Sequence, residues 1–580
     1  MSSLLRLLRF LQPFAGWVAL SVLVGTAAVA ASIGLLGTSA YLVARAALHP
    51  SVAALQVAIV GVRFFGLSRA GMRYLERLIT HSVNFRLLAR LRTWFYQALE
   101  PLAPARLLDF RSGDLLSRAM NDIDTLENFY VRAVAPPLIA LVVTVGVSSF
   151  VGRYHPALAG LLLAALILAG VGLPLLAHLL SRAAGQAAVT RRAQLSAGLV
   201  ELIQGASDLA AYGQSESYLQ RVLAAGSSLS VAQAAIGRVG ALVNGLSLLI
   251  SGLAVWGVLV VGLPLVGARF DGVSLAVLVL VVMASFEAVN PLAPAAQHMQ
   301  SSLAAARRLF ELVDAPPAVS PPREAIAPPL CGDMRIRGLS FCYAPGDPPA
   351  LDDFSLDLPP GRQVALVGPS GAGKSTLFHL LLRFWEFSQG EIWLEGQDIR
   401  RYAPDDVRQL LVVISQQTYL FAGSLRQNLL LACPQAAPAE LEAAIQGAQL
   451  ADVVARLPHG LDTWVGERGA HLSGGERQRV ALGRALLRLN NQPAGILLLD
   501  EPTANLDVEN ERRFWAALRV AAAGRSLVLI THRLAGLEDM DEVIVLRAGR
   551  VVERGRQADL VQAGGDFARL WEIHRQSLPE

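Results

Sequence analysis

Gly368-Pro369-Ser370-Gly371-Ala372-Gly373-Lys374-Ser375-Thr376 fits the pattern G-x-x-x-x-G-K-[ST], a phosphate-binding loop. An apolar run, Gln363 to Val367, precedes it and reads as a buried strand. Leu377-Phe378-His379-Leu380-Leu381-Leu382 follows and reads as a helix. Strand, glycine-rich turn and helix are the context this motif needs. The glycines let the backbone wrap tightly, so several N–H groups point at phosphate, and the helix adds its positive end. Lys374 offers a point charge to the β- and γ-phosphates, and Ser375 a hydroxyl to Mg²⁺. Lys374 is also the only lysine in a chain with 50 Lys+Arg residues. A chain that uses arginine everywhere else keeps lysine here.

Working outward, the 580 residues suffice for several domains. The chain is 53% hydrophobic and only 17% charged, below the roughly 25% of ordinary soluble proteins. Its mean hydropathy is +0.44. The apolar excess lies in residues 10–300 as long uncharged runs, which marks an integral membrane protein with a soluble domain attached. A net charge of +4 does not point to nucleic acid, because the arginines cluster in loops flanking the apolar runs. Cys331, Cys342 and Cys433 form no C-x-x-C pair. That argues against a disulfide scaffold or a zinc site and suits a reducing cytosol.

Six runs qualify as membrane spans. They are Phe10 to Ala44, a block from about Ser51 that includes Arg63 and Arg69, Ala133 to Gly152, Pro156 to Ser181, Val239 to Ala268, and Gly272 to Phe286. The first run is too long for a signal peptide. A span needs about 20 residues, so the second and sixth must borrow polar ends. Only Arg153-Tyr154-His155 separates the third and fourth, which predicts a tight hairpin. Six spans put both ends of the domain on one side. Arginines after spans two and four, among them Arg73, Arg77, Arg86, Arg182, Arg191 and Arg192, place that side in the cytoplasm. Two long loops on that side read as helical. One contains Ser112 or Asp114 as a helix cap; the other contains Gln204 to Gly213. The Pro/Ala-rich text from Asp314 to Pro329 is a linker. The expected division is a transmembrane domain at 1–313, a linker at 314–333 and a nucleotide-binding domain at 334–580.

The soluble half carries further chemistry. Met334 to Phe341 reads as a strand, and Tyr343 after it is placed to stack on adenine. Gln416 ends another strand within reach of Mg²⁺ or the attacking water. Leu472-Ser473-Gly474-Gly475-Glu476 opens a helix with a second phosphate-facing N-terminus. Ile496 to Asp500 is an apolar strand ending in acids: Asp500 suits Mg²⁺, and Glu501 suits a general base. Ala504-Asn505-Leu506-Asp507 follows. His532 stands after the strand Ser526 to Thr531, placed to contact the γ-phosphate.

That order of motifs resembles the ABC transporter ATPase domain, and the six preceding spans resemble an exporter-type half-transporter. The implied fold class is an all-α six-helix transmembrane domain followed by an α/β P-loop ATPase domain. In that family two chains pair, and each ATP lies between one P-loop and the partner's signature turn. Ser473 and Gly475 would then complete the partner's site. Closer resemblance lies in Ala31-Ser32-Ile33-Gly34-Leu35-Leu36, Arg73 to His81, and Arg111 to Tyr130. These look like the C subunit of a heterodimeric bacterial cysteine/glutathione exporter that supports cytochrome bd assembly. The resemblance implies a D-type partner subunit, small thiol substrates, a bacterial inner-membrane location and a link to haem b. His81 is then a candidate axial ligand, although Arg73, Arg77 and His81 recur every fourth residue and could simply form a basic helix face at the headgroups. An arginine inside a span costs about 2.5–3.5 kcal/mol on insertion scales, which favours a water-filled cavity for Arg63, with Arg69 beside it, facing a substrate carboxylate. Snorkelling is the alternative. A homodimeric lipid or drug exporter and a haem-responsive membrane ATPase are the rival functions.

Overall fold

The computed structural model describes residues 3–110, 112–329, 332–344, 346–491, 495–503, 506, 508–534 and 536–576. Arg111, Cys331, Ala504, Asn505 and Asp507 lie outside the described residues. The chain divides into two compact units, one of Met1–Leu102 with Leu107–Pro316, the other of Ala103–Arg106 with Pro317–Glu580.

The first unit is all helix. Its six membrane-length helices are Ser3–Ala46, Val52–Leu102, Gly113–Gly152, Pro156–Gln204, Ser215–Leu265 and Gly272–Val313. Each apolar run lies mainly in one of them, the fifth, read to Ala268, leaving its helix at Leu265, and the helices run well past the hydrocarbon length. The fourth run, read as ending at Ser181, continues as helix to Gln204; the sixth, read as ending at Phe286, continues to Val289 and resumes from Leu292 to Val313. Polar residues continued the helix because nothing there breaks it; Asn290-Pro291 does break the sixth. The expected hairpin is present. His155 caps the fourth helix, its Nδ1 accepting from the Ala157 N–H at 3.2 Å. Gly205 interrupts the second cytoplasmic extension.

Small residues let the first helix sit among its neighbours. A Cβ on Gly34 would fall 2.7 Å from the Phe65 ring of the second helix, and one on Gly37 would lie 3.0 Å from Val281 of the sixth. Such close approach drives helix association where lipid removes any hydrophobic gain. Leu158, Leu162, Leu278 and Val282 are fully buried in the bundle. On its cytoplasmic side, Asp122 accepts a bidentate pair from Arg308, with Nε at 2.9 Å. Arg6 pairs with Asp314 and lies 3.8 Å over the Phe310 ring.

The second unit is α/β. A four-stranded antiparallel sheet has the order β2-β1-β4-β5, with β1 Met334–Phe341, β2 Leu351–Leu358, β4 Gln389–Leu394 and β5 Gln397–Asp398. A six-stranded sheet has the order β10-β9-β3-β8-β7-β6, with β3 Gln363–Val367, β6 Leu411–Ile414, β7 Ile496–Asp500, β8 Leu527–Ile530, β9 Glu542–Arg547 and β10 Arg550–Gly555. The five strands β9, β3, β8, β7 and β6 are parallel. Their residues are apolar on both faces, as burial between two layers requires. Two hydrophobic cores hold the sheet, one including Val412, Leu497, Leu529 and Val545, the other Val364, Leu366, Leu498 and Ile544.

Candidate ATP site

Register decides what meets at the carboxyl end of the parallel sheet. Leu366 pairs with Ile530, Ile530 with Asp500, and Leu499 with Ile414. The loops leaving β3, β8, β7 and β6 therefore emerge side by side, at the place where ligands bind open α/β sheets. They carry the P-loop, His532, Glu501 and Gln416.

The P-loop runs from β3 into the helix Lys374–Leu381. Gly373 has φ of 95° and Gly368 φ of 148°. A Cβ at Gly373 would lie 1.9 Å from the Ala350 carbonyl oxygen, and one at Gly368 would lie 2.1 Å from that of Leu546. Both positions require glycine on two counts, backbone angle and space. Pro369, Ser370, Gly371 and Ala372 form the turn between them. Lys374 is buried, and its Nζ donates to the carbonyls of Gly368 at 2.8 Å and Pro369 at 2.9 Å. Burial pushes its ammonium below the usual lysine range, opposed by the nearby Glu501 and Asp500. Ser375 Oγ donates to Asp500 Oδ2 at 2.9 Å. Burial raises the Asp500 carboxyl, opposed by that hydrogen bond.

Glu501 stands at the end of β7 with φ of 45°. Its N–H donates to the Ile530 carbonyl at 2.8 Å. Gln416 Nε2 donates to Glu501 Oε2 at 2.8 Å, and His532 Nδ1 lies 3.2 Å from Oε1. The two side chains hold the carboxylate from opposite strands. Tyr343 is half-exposed; its hydroxyl bonds Thr376 Oγ1 and His379 Nδ1, each at 3.1 Å. Its ring meets Phe341 and Trp385 edge-on. The hydroxyl thus ties the aromatic to the P-loop helix, a role not legible from sequence.

The pieces fit Mg-ATP. Mg²⁺ keeps several waters and takes one or two protein oxygens besides the phosphates. The paired Ser375 and Asp500 oxygens and the Gln416 side chain are such a donor set.

Ser473 and Glu476 form a reciprocal cap on the helix Gly474–Asn491. The Ser473 N–H and Oγ donate to Glu476 Oε2 at 2.8 and 2.9 Å, the Glu476 N–H returns a bond to Oγ at 3.3 Å, and Arg456 Nη2 donates at 2.7 Å. Burial disfavours the carboxylate, but these donors outweigh it and hold Glu476 below the usual range. A depressed folded-state value stabilises above the unfolded value of about 4.3 and is lost as pH falls through the lowered one. Ser473→Ala is therefore expected to cost roughly 1 kcal/mol at neutral pH, a penalty that persists to about pH 4 and shrinks as pH falls below it. Thermal unfolding of the two full chains across that range measures it. A pH-independent difference would refute the linkage.

In the membrane unit, Arg63, Arg69, Arg73 and His81 all have exposed side chains. Arg73 pairs with Glu287 of the sixth helix, whose Oε2 accepts from the buried Ser32 Oγ at 2.6 Å. Sequence reading passed over Glu287, although a lone acid in an otherwise uncharged span was signal enough. His81 has Phe85 one turn on, their ring centroids 6.2 Å apart. His81, with its exposed imidazole, is the residue here that would hold a haem iron.

Comparison with known proteins agrees with this layout. The family described as ABC transporter transmembrane region matches residues 14–290, and that described as ABC transporter matches residues 351–504. The glutathione/L-cysteine transport system ATP-binding/permease protein CydC of Escherichia coli (strain K12) is 33% identical over 560 residues, 95% of this chain and 96% of that protein. The chain belongs to the CydC-like ABC half-transporters. The Haemophilus influenzae CydC is 30% identical over 88% of this half-transporter and 89% of that protein. An ATP-dependent lipid A-core flippase of Photobacterium profundum is 39% identical, but over only 48% of the chain and 46% of the flippase. A solved bacterial Atm1-family ABC exporter with ATP bound shares the fold, at a TM-score of 0.86 and 24% identity, covering 98% of this chain and 99% of that one. The half-transporter is thus a type I exporter fold that couples ATP hydrolysis to transport. It crosses the inner membrane six times and holds its ATPase domain in the cytoplasm.

Proposed function

We propose that this chain is one half of a heterodimeric exporter that moves L-cysteine and glutathione from cytoplasm to periplasm and supports cytochrome bd assembly. The observation that carries this reading is similarity along nearly the whole chain, membrane half included, to relatives named for glutathione and L-cysteine. The flippases match only about half of it. A homodimeric lipid exporter is therefore the weaker reading.

In this reading Lys374 and the P-loop N–H groups hold the phosphates, and Tyr343 faces the adenine. Ser375, Asp500 and Gln416 hold Mg²⁺, which neutralises charge between the β- and γ-phosphates. Glu501 accepts the proton of the attacking water; Gln416 and His532 fix its two oxygens. Ser473, Gly474 and Gly475 serve the site across the dimer. Burial disfavours the charged forms of both Asp500 and Lys374, and bound metal and phosphate would favour them. Haem b at His81 is the second element of this reading. When bound, it would supply a redox-active iron, and His81→Ala should remove its Soret absorbance from the purified heterodimer. An unchanged spectrum would exclude His81 as ligand.

The test is ATP-dependent uptake of radiolabelled cysteine and glutathione by inverted membrane vesicles carrying this chain and its partner, with Glu501→Gln as control. Uptake lost in the variant is the expected result. Absence of uptake together with absence of thiol-stimulated ATPase would discard the cargo assignment.

A further inference from the structure

Three membrane helices converge on one carboxylate. Glu287 is the only charged residue in the sixth helix between Gly272 and Val289. It lies 15 residues past Gly272, so about 22 Å along the helix and inside a hydrocarbon core about 30 Å thick, toward the cytoplasmic face. The buried Ser32 hydroxyl of the first helix fixes one of its oxygens at 2.6 Å, and Arg73 of the second helix pairs with the other. Neither charge is sealed off: the Glu287 side chain is 35% exposed and that of Arg73 51%. Arg69 and Arg77 lie one turn to either side of Arg73 on the same face, and neither has an ion-pair partner among the described residues. One acid therefore stands among three arginines. Glu76, the nearest other acid in sequence, turns toward Gly25 of the first helix.

A structural clamp is a poor explanation. Half-exposed ion pairs contribute little net stability, and close packing at Gly34 and Gly37 already joins these three helices. Ionisable groups in spans generally mark ligand paths. A free anion would meet repulsion from Glu287, and a free cation repulsion from the arginines. A ligand carrying both charges on one carbon meets both kinds of group.

We propose that Glu287, set by Ser32, together with Arg73 and its flanking arginines forms the recognition site for the zwitterionic α-amino-acid group of the cargo. The α-ammonium donates to Glu287, and the α-carboxylate accepts from Arg73 with Arg69 or Arg77. Cysteine carries this group, and so does the γ-glutamyl end of glutathione. The site thus explains one pathway for both, with the thiol left unread. It rests on the cargo reading above only for which zwitterions are carried.

The experiment is uptake of radiolabelled cysteine by the same heterodimer vesicles, challenged with unlabelled analogues. L-serine, which keeps both charges and lacks the thiol, should compete nearly as well as cysteine. N-acetylcysteine and cysteamine each lack one charge and should compete about ten- to hundredfold worse. Glu287→Gln should raise the KM for cysteine by about the same factor and abolish discrimination against N-acetylcysteine. The exchange Arg73→Glu with Glu287→Arg restores an ion pair but removes the carboxylate from Ser32, so uptake should stay impaired. Uptake restored to the wild-type KM by the exchange would make the pair a clamp and overturn the proposal. N-acetylcysteine competing as well as cysteine against the unaltered protein would overturn it without any variant. Should the vesicles take up neither thiol, the cargo reading falls separately. Serine stimulating the ATPase of the wild type but not of Glu287→Gln would still support the site, and no stimulation by any zwitterion would refute it.

Discussion

Glutamine in place of Glu501 is expected to lower the steady-state ATPase rate about 10²–10⁴-fold while ATP still binds. The expectation follows from the position of the carboxylate. It sits one residue past Asp500, after a strand that is apolar from Ile496 to Leu499, with its two oxygens engaged by Gln416 and His532. An amide has the same shape and can still meet Gln416, but it cannot accept a proton from water. The substitution removes an interaction made chiefly in the transition state, so the rate falls without a matching loss of affinity. Phosphate release and equilibrium nucleotide binding on the purified heterodimer separate the two. A rate within about threefold of wild type would move the base elsewhere.

Gly373→Ala is expected to abolish nucleotide binding and to lower the thermal stability of the chain. At φ of 95° a side chain costs about 1–2 kcal/mol even in open space. Here the space is taken: the new methyl would lie 1.9 Å from the Ala350 carbonyl oxygen, an atom of the backbone that cannot rotate away. The loop must open, and with it the ring of N–H groups and the Lys374 contacts to Gly368 and Pro369. Gly371→Ala is the control. That residue also has positive φ, but nothing lies within 4 Å of its added carbon, so only the strain remains. Equal effects of the two substitutions would show that the contact with Ala350 does not matter.

Much of the ATP site was legible in sequence because each part is local. The strands Gln363–Val367 and Ile496–Asp500 are marked by short apolar runs and Met334–Phe341 by apolar alternation, and the site residues follow closely on their ends. The spans were legible for a similar reason: hydrocarbon thickness demands long uncharged runs. Helix ends were not. Reading by hydropathy stopped the sixth span at Phe286, one residue before Glu287, since a charge looks like a boundary; the helix continues because its backbone hydrogen bonds do not depend on side-chain polarity.

Sequence alone determined two halves, six spans, a cytoplasmic ATPase and the order of its motifs, all set by short-range pattern and by the solvent each segment must face. Tertiary structure alone decided which side chains meet. Parallel register brings Gln416 and His532 onto Glu501 from strands far apart in the chain. Glycine-permitted packing of the first helix brings Ser32, Arg73 and Glu287 together from three spans. Neither meeting is written in any one segment, because the rotation and offset of one element against another are set by the surfaces of both.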